Sequence, residues 1–275
     1  MRTILILLTA VVIVVAVFAV AIYGFGVENF LTHSFNRSAP ILPAALVNRQ
    51  VVTLREAENI SQMYRSALEH QSAAVGADNK NEILTALVDQ EIISDLLAKR
   101  GIEISQSEID EYYKYVKSRF SSAPDSQISE IFGVSESDFI KAIVAPDLRR
   151  QKLRASVHAQ NTSVKEYERA KKIQSLLDEG MDFAEAAKSY SEDSANKYIG
   201  GHLGFLSSDQ INPWLESAAK SLAPSTTSEV IVSPDGYHIL RHDNDQLQHI
   251  FIRGPDFDEY LDRQRKNYRI YTFIR

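Results

Sequence analysis

Hydrophobic residues near the start of the chain form one uninterrupted run. Residues 4–25, ILILLTAVVIVVAVFAVAIYGF, contain no charge. About 20 apolar residues in a helix cross a bilayer core of about 30 Å, whereas the apolar part of a signal peptide usually has about 7 to 15 residues. We therefore expect residues 1–26 to be a membrane anchor, although Ala-Val-Ala at 19–21 leaves cleavage open. Arg2 favours a cytoplasmic N-terminus with the rest of the chain outside. Residues 27–43 show no period and are predicted to be a linker.

After the linker, apolar residues recur every three or four positions, which is typical of amphipathic helices. The stretch AALVNRQVVT first alternates as a short hairpin. Capping boxes then begin helices at Thr53, Ser105 and Ser135, and another helix is predicted at about 81–100. Pro146 is expected to separate the helix that begins at Ser135, the fourth, from a fifth helix. Because no single helix can bury its apolar stripe alone, residues 44–160 are predicted to form one all-α domain.

The composition and the spacing of apolar residues change after about residue 160. Two short helical segments, the first begun by a capping box of Ser163 with Glu166, lead into a loop that contains several glycines, and strands are predicted at 229–233, 237–242 and 247–252. Residues 161–253 are therefore expected to form an α+β domain with an antiparallel sheet. Residues 254–275 contain a charged helix and an alternating strand, and we expect them to pack on the helical domain. The predicted fold class is thus α+β, with a transmembrane helix and an all-α domain before the sheet.

The last two strands of the predicted sheet carry three of the seven histidines of the chain. A two-residue turn at 243–244 would place His238 directly opposite His249 on one face of an antiparallel pair. Leu240 and Phe251 would extend the same face. Because successive residues point to opposite faces, a slip of one residue would undo this arrangement.

The amino-acid composition excludes several kinds of catalytic site and binding partner. The absence of cysteine excludes disulfides and thiol catalysis, and a net charge of −6 with a pI near 5.7 argues against nucleic acid as a partner. A zinc site built from His238, His242 and His249 is an alternative, but His242 would lie roughly 13 Å along the strand from His238, too far for one ion. The other histidines considered are predicted to be surface or linker residues: His33, His70 and His158.

Four motifs in the second half of the chain resemble those of parvulin-type peptidyl-prolyl isomerases. In chain order they are GMDFAEAAKSYSED, GGHLGFL, INPWLESAAKSL and SPDGYHIL. The earlier stretches ALVNRQVVTLREAEN, ILTALVDQEIISDLLAKRGIEISQSEID and SESDFIKAIVAPDLRRQKL are similar to the chaperone domain of SurA- and PrsA-type extracytoplasmic foldases. The resemblance covers roughly residues 40–275.

The resemblance implies a role for particular residues. Asp193 would lie beside the isomerised amide, and His238 and His249 would form the hydrogen-bonded histidine pair that supports it. The residues implied to bind the substrate proline are Phe205, Leu206, Ile211, Trp214 and Leu215. Parvulins carry one histidine on their first strand. Here we expect that strand to be supplied from the C-terminal side, with His249 replacing the first-strand histidine. No metal or cofactor is implied.

Some positions depart from the parvulin pattern, since His202 stands where an Asp is usual and Ile211 where a Met is typical. Three functional hypotheses follow. The first is a membrane-anchored extracytoplasmic foldase that isomerises prolyl bonds and acts as a chaperone for unfolded, proline-containing exported polypeptides. The second is a module of the same fold that only binds unfolded chains. The third is a metal-dependent extracytoplasmic enzyme.

Overall fold

The structure, a computed structural model, describes six parts of the chain: residues 42–70, 80–118, 127–160, 163–203, 211–243 and 246–274. The predicted anchor and all but the end of the predicted linker lie outside these residues. Within the described ranges, no helix combines the length and the apolar character that crossing a membrane requires.

Contacts divide the chain into two compact units. Unit 1 contains the described parts of Met1–Ile92, Glu130–Gly133 and Gln264–Arg275, and unit 2 those of Ile93–Ser129 and Val134–Arg263. The domain boundaries drawn from the sequence stay predictions.

The secondary structure consists mostly of helices. The helices are α1 (Leu54–His70), α2 (Lys80–Lys99), α3 (Gln106–Ser118), α4 (Gln127–Phe132), α5 (Glu136–Phe139), α6 (Ala145–Gln160), α7 (Lys165–Asp178), α8 (Phe183–Tyr190), α9 (Pro213–Ser221) and α10 (Phe257–Arg265). A π-helical segment (Ile140–Val144) joins α5 to α6, and a short 3₁₀ helix (Lys197–Ile199) follows α8. The strands are β1 (Pro43–Val47), β2 (Gln50–Thr53), β3 (Ile231–Val232), β4 (Gly236–Asp243), β5 (Gln246–Arg253) and β6 (Ile270–Thr272).

Unit 1 contains an antiparallel sheet of order β2-β1-β6. The hairpin predicted from AALVNRQVVT is confirmed as β1 and β2. The final strand of the chain, β6, pairs with β1, so the two ends of the described chain meet in one sheet. Arg265, at the end of α10, donates through Nε and a terminal nitrogen to Asp89 of α2 at 2.7 and 2.5 Å. Asp89 is only 6% exposed, so the carboxylate of this ion pair is shielded from water.

Helix starts follow the capping residues in three of four places. The hydroxyl oxygens of Thr53, Ser105 and Ser135 each accept the backbone N–H of the residue three positions later, as predicted. The capping box expected at Ser163 does not form, because α7 begins after Val164, whose side chain offers no acceptor.

Pro146 does not separate two helices, and that prediction is wrong. Residues 136–160 are helical without a break, through the π-helical segment and into α6. The N–H of Ala145 bonds to the carbonyl of Ile140, five residues back. This wider turn removes the regular i to i−4 pairing beside the proline, so the helix continues through it.

The sheet of unit 2 has the order β3-β4-β5 and is covered differently on its two faces. On one face, helices α7 and α8 pack on β4 and β5. The buried residues of this layer are Ala170, Ile173, Phe183, Ala186, Ala187, Tyr237, Ile239, Ile250 and Ile252. On the other face, Leu215 of α9 packs against Leu240 and Leu247. Because side chains alternate along a strand, His238, His249 and Phe251 share this second face with Leu240.

Candidate active site

The register of β4 and β5 differs from the prediction. His238 lies opposite Phe251 and Leu240 lies opposite His249, because the connection falls at residues 244–245, one position later than expected. This moves each partner by two positions, and an even shift keeps every side chain on its predicted face. The two histidines are therefore diagonal neighbours, with ring centroids 5.7 Å apart and planes inclined by 30°.

Asp193 reaches His249 from the loop after α8. Its Oδ1 accepts the N–H of Ala195 at 3.0 Å, and its Oδ2 lies 2.9 Å from Nε2 of His249 and 2.8 Å from Nδ2 of Asn196. Burial alone would raise the pKa of Asp193. The hydrogen bonds from Ala195, His249 and Asn196 outweigh burial and hold this pKa below its ordinary value. The site therefore presents an ionised carboxylate.

Backbone hydrogen bonds join the Asp193 loop to β5. The N–H of His249 donates to the carbonyl of Gly201 at 2.9 Å, and the N–H of Glu192 donates to the carbonyl of Phe251 at 2.8 Å. Gly201 has φ +77°, and a Cβ there would lie 2.3 Å from the carbonyl oxygen of His249. Only glycine combines this backbone conformation with so close an approach, so Gly201 sets the distance between loop and strand.

Ser233 determines where His238 carries its hydrogen. Its Oγ lies 2.9 Å from Nε2 of His238 and accepts the backbone N–H groups of Asp235 and Gly236 at 3.1 and 3.2 Å. Since a hydroxyl has two acceptor lone pairs and one hydrogen, that hydrogen points to Nε2. Neutral His238 therefore carries its own hydrogen on Nδ1.

His249 has the opposite tautomer. A carboxylate only accepts hydrogen bonds, so Nε2 of His249 carries the hydrogen that faces Asp193 and its Nδ1 is an acceptor. Within the described residues, Nδ1 of His238 and Nδ1 of His249 are both buried without a partner. Burial lowers the pKa of His238 to about 3, and burial also lowers the pKa of His249 although Asp193 opposes the shift. At neutral pH the site thus holds two neutral rings, one offering a donor and the other an acceptor.

The Asp193–His238–His249 group opens into a cleft of about 610 Å³. Two of the residues implied to bind proline, Ile211 and Leu215, line it, together with Leu203 and Phe251. Besides Asp193, its charged lining residues are Arg154, Glu192, Asp235 and Arg253. The cleft therefore combines an apolar wall with an ionised carboxylate, a combination suited to holding a proline ring beside a polar backbone.

Of the other residues implied for the substrate site, Trp214 lies in the described part of the chain and does not line this cleft. Trp214 lines a separate cavity of about 290 Å³ with Ala155 and Val232. Phe205 and Leu206 lie outside the described residues.

His158 is not a surface residue, and that prediction is wrong. The side chain is 1% exposed, and its ring nitrogens lie 3.0 Å from the carbonyl oxygen of Ser233 and 3.3 Å from that of Pro255.

His242, the third histidine of the zinc alternative, lies opposite Leu247 on β5. Across the described parts of the chain, no group of three or more His, Asp or Glu residues could hold a metal ion.

Sequence reasoning missed several residues of the site. Ser233 could have been found, because a serine before Pro-Asp-Gly commonly bonds the backbone of the following turn. Asn196, Arg154 and Arg253 gave no local signal, since their place at the cleft depends on elements distant in sequence.

Comparison with known proteins agrees with this geometry. Residues 151–244 match the family model of the PPIC-type PPIASE domain, and residues 1–128 match the SurA-like N-terminal domain. The foldase protein PrsA of Halalkalibacterium halodurans is 29% identical over 187 residues, which is 58% of this chain and 56% of that protein. PrsA of Caldanaerobacter subterraneus subsp. tengcongensis is 27% identical over 197 residues, or 68% and 64% of the two chains. The chain thus spans about three fifths of the length of these relatives.

The crystal structure of the peptidylprolyl isomerase PrsA from Bacillus anthracis is 26% identical and covers 67% of this chain and 86% of its own. Its TM-score is 0.27.

The chain therefore carries a rotamase domain of the parvulin (PPIC) type. A SurA-like N-terminal domain precedes it, so the resemblance to parvulins and to SurA- and PrsA-type foldases is confirmed. The rotamase match ends at residue 244, which leaves β5 and His249 beyond it.

Proposed function

We propose that this protein is an extracytoplasmic foldase that isomerises prolyl bonds and binds unfolded exported chains. The contact of Asp193 with His249, beside His238 in a cleft with an apolar wall, carries the proposal. The matches to the rotamase and SurA-like models support it, as do the PrsA relatives.

The apolar wall supplies one part of the catalysis. A planar amide is polarised by resonance, and twisting its C–N bond removes that resonance against a barrier of about 18–20 kcal/mol. Because the twisted amide is less polar, removal from water disfavours it less than the planar form. Leu203, Ile211, Leu215 and Phe251 would hold the proline ring and keep water from the amide.

The carboxylate of Asp193 supplies the other part. The planar amide carries partial negative charge on its oxygen, and this charge decreases as the bond twists. A fixed negative charge near that oxygen therefore repels the planar form more than the twisted one, which lowers the barrier. Neutral His249 holds the carboxylate in place without cancelling its charge, and neutral His238 lies beside His249. No covalent step, metal or cofactor takes part in this scheme.

We also propose that β5 takes the place of the first strand of parvulins. Helix α6 continues to Gln160, directly before the residues that lead into α7, so no strand precedes α7 in the described part of this region. β5 instead lies beside β4 and presents His249 to His238. The end of the rotamase match at residue 244 agrees with a strand contributed from later in the chain.

Attachment to a membrane through residues 4–25 belongs to the same proposal. It rests on the uncharged run of apolar residues and on the cytoplasmic bias of Arg2. The test is cell fractionation of the full chain beside a variant without residues 1–26. Recovery of both in the same soluble fraction would refute the anchor.

The isomerase is tested by cis–trans exchange of a proline-containing peptide, measured by NMR without a coupled protease. The full chain should accelerate exchange, and Asp193→Ala and Asp193→Asn should each reduce kcat/KM on the order of 100-fold, the usual cost of removing one electrostatic group from an active site. Asp178→Ala, at an exposed aspartate at the end of α7, is the matched control and should leave the rate unchanged.

No acceleration by the parent would refute catalysis. If the same protein still suppressed aggregation of an unfolding client, it would be a parvulin scaffold that only binds. Equal activity in the parent and in both Asp193 variants would place the site elsewhere.

A further inference from the structure

Asn196 is a buried polar residue that no motif of the sequence singles out. Its side chain and backbone together are 7% exposed, and it lies at the start of the 3₁₀ helix after Asp193. Its carbonyl accepts the N–H of Ile199 at 2.9 Å and that of Gly201 at 3.0 Å. Because Gly201 in turn binds the backbone of His249, a continuous set of hydrogen bonds fixes the backbone of Asn196 relative to β5.

The side chain of Asn196 completes this set. Its Nδ2 lies 2.8 Å from Oδ2 of Asp193 and 3.0 Å from Nε2 of His249. Since Nε2 carries a hydrogen toward Asp193, both nitrogens are donors, and Oδ2 is the acceptor that they share. The third donor to Asp193, the N–H of Ala195, occupies Oδ1.

The orientation of the Asn196 amide follows from Asp193. A flipped amide would pair Oδ1 of Asn196 with the Nε2–H of His249, but it would also bring two acceptor oxygens together at Asp193. In the observed orientation, Oδ1 of Asn196 is buried without a partner among the described residues. An unpaired buried acceptor is unfavourable, so the donor contact with Asp193 must outweigh it. The Asn196 side chain is therefore oriented to donate to the Asp193 carboxylate, at the expense of a partner for its own Oδ1.

We propose that Asn196 is a positioning residue of this site, which keeps the Asp193 carboxylate ionised and in one rotamer and thereby selects the Nε2–H tautomer of His249. This inference rests on the proposed isomerase function only for its effect on rate. Without the Asn196 donor, the carboxylate loses one of its two restraints on Oδ2 and accepts a proton more readily.

Other charged and titratable groups surround Asp193 and would contribute to any pH dependence. They are Arg154 on α6, Arg169 on α7, Glu192 in the same loop, Asp235 between β3 and β4, His238 on β4, and His249 and Arg253 on β5. Two ion pairs, Arg169 with Glu192 and Arg154 with Asp235, already join oppositely charged members of this set. Asn196→Ala leaves all of these groups in place and adds no charge, so a changed titration of Asp193 in that variant reports the lost donor.

The test compares Asn196→Ala, Asn196→Asp and Tyr198→Ala in the full chain. The alanine variant removes the donor and keeps the backbone carbonyl bonds. The aspartate variant keeps the shape but places an acceptor beside Oδ2. Tyr198, on the same 3₁₀ helix and 70% exposed, is the control. We measure the pKa of Asp193 by carboxyl ¹³C NMR, the tautomer of His249 by ¹⁵N NMR, and kcat and KM against pH.

The pKa of Asp193 should rise in Asn196→Ala and rise further in Asn196→Asp. The acidic limb of the rate profile should move to higher pH with it. At neutral pH, kcat should fall about 10-fold with KM unchanged, as expected for one lost hydrogen bond to a charged group and no lost contact in the proline pocket. Tyr198→Ala should match the parent.

A purely structural role predicts that kcat falls less in Asn196→Asp than in Asn196→Ala, because aspartate preserves the volume of asparagine. That order, or an unchanged Asp193 titration in both variants, would overturn the proposal. Both NMR measurements can be made on an inactive protein, so failure of the proposed isomerase function is distinguishable from failure of this inference.

Discussion

Substitution of Gly201 by alanine tests whether the spacing between the Asp193 loop and β5 controls the site. The added Cβ would lie 2.3 Å from the carbonyl oxygen of His249 and 3.2 Å from Cβ of Ala187. Real Cβ atoms essentially never approach closer than 3.0 Å, so the loop and strand must separate by at least 3.0 − 2.3 = 0.7 Å. If the side chains follow, the 2.9 Å contact between Nε2 of His249 and Oδ2 of Asp193 lengthens to about 3.6 Å, beyond hydrogen-bond range.

The expected loss of activity follows from this displacement. A misplacement of about 1 Å among catalytic groups can cost on the order of 100-fold, so we expect kcat/KM to fall by that factor in Gly201→Ala. Stability should fall as well. The left-handed conformation costs an alanine about 1–2 kcal/mol, and the forced contact adds about 1–3 kcal/mol.

Gly101→Ala is the matched control for Gly201→Ala. Gly101 has φ +65°, close to the +77° of Gly201, but no atom lies within 4 Å of its added Cβ. Both variants therefore bear the conformational cost, and only one bears the contact. Peptide exchange and urea unfolding of the two variants measure the difference. Equal rates and equal unfolding free energies in both would refute the reasoning.

Two further predictions concern stability. Burial lowers the pKa of His238 to about 3, against about 6.5 in an unfolded chain. At pH values between these two, the histidine is protonated in the unfolded chain and neutral in the folded one. The free energy of unfolding should therefore decrease by about 1.4 kcal/mol per pH unit as the pH falls from 6 to 4, and His238→Gln should flatten that slope in urea titrations. A parent slope of zero would contradict the burial of a neutral ring. In unit 1, Arg265→Ala should cost about 3–5 kcal/mol by leaving the buried carboxylate of Asp89 without its cation, whereas Arg263→Ala, in an exposed pair, should cost less than about 1 kcal/mol. Similar thermal unfolding of the two variants would show that the buried pair contributes little.

Strand positions and faces could be predicted from the sequence because they depend on short-range patterns. The alternation in β4 and β5 fixed which side chains share a face, and Leu240, His249 and Phe251 lie where the alternation placed them. The register of β4 against β5 could not be predicted, because Asp-Asn-Asp at 243–245 offers turn residues for a connection at 243–244 and for one at 244–245. Packing of the whole sheet selected one of them.

The rotation of α9 about its own axis could not be predicted from the sequence either. Trp214 and Leu215 are neighbours in the chain, but successive helical residues point about 100° apart, so they line different cavities. Which of them faces the cleft depends on how α9 packs on Leu240 and Leu247 of the sheet. A resemblance between motifs gave both residues without deciding between them.

The sequence by itself determined most of the helices and strands, the family resemblance and the candidate residues Asp193, His238 and His249. Each of these follows from local periodicity or from motifs that extend over a few residues. Only the tertiary structure decided that His158 is buried and that Asn196 contacts Asp193 and His249. The partners of His158 lie 75 and 97 residues away, and those of Asn196 include a strand 53 residues away. Contacts between such distant residues depend on how loops and helices pack on the sheet, and no pattern within one segment encodes that packing.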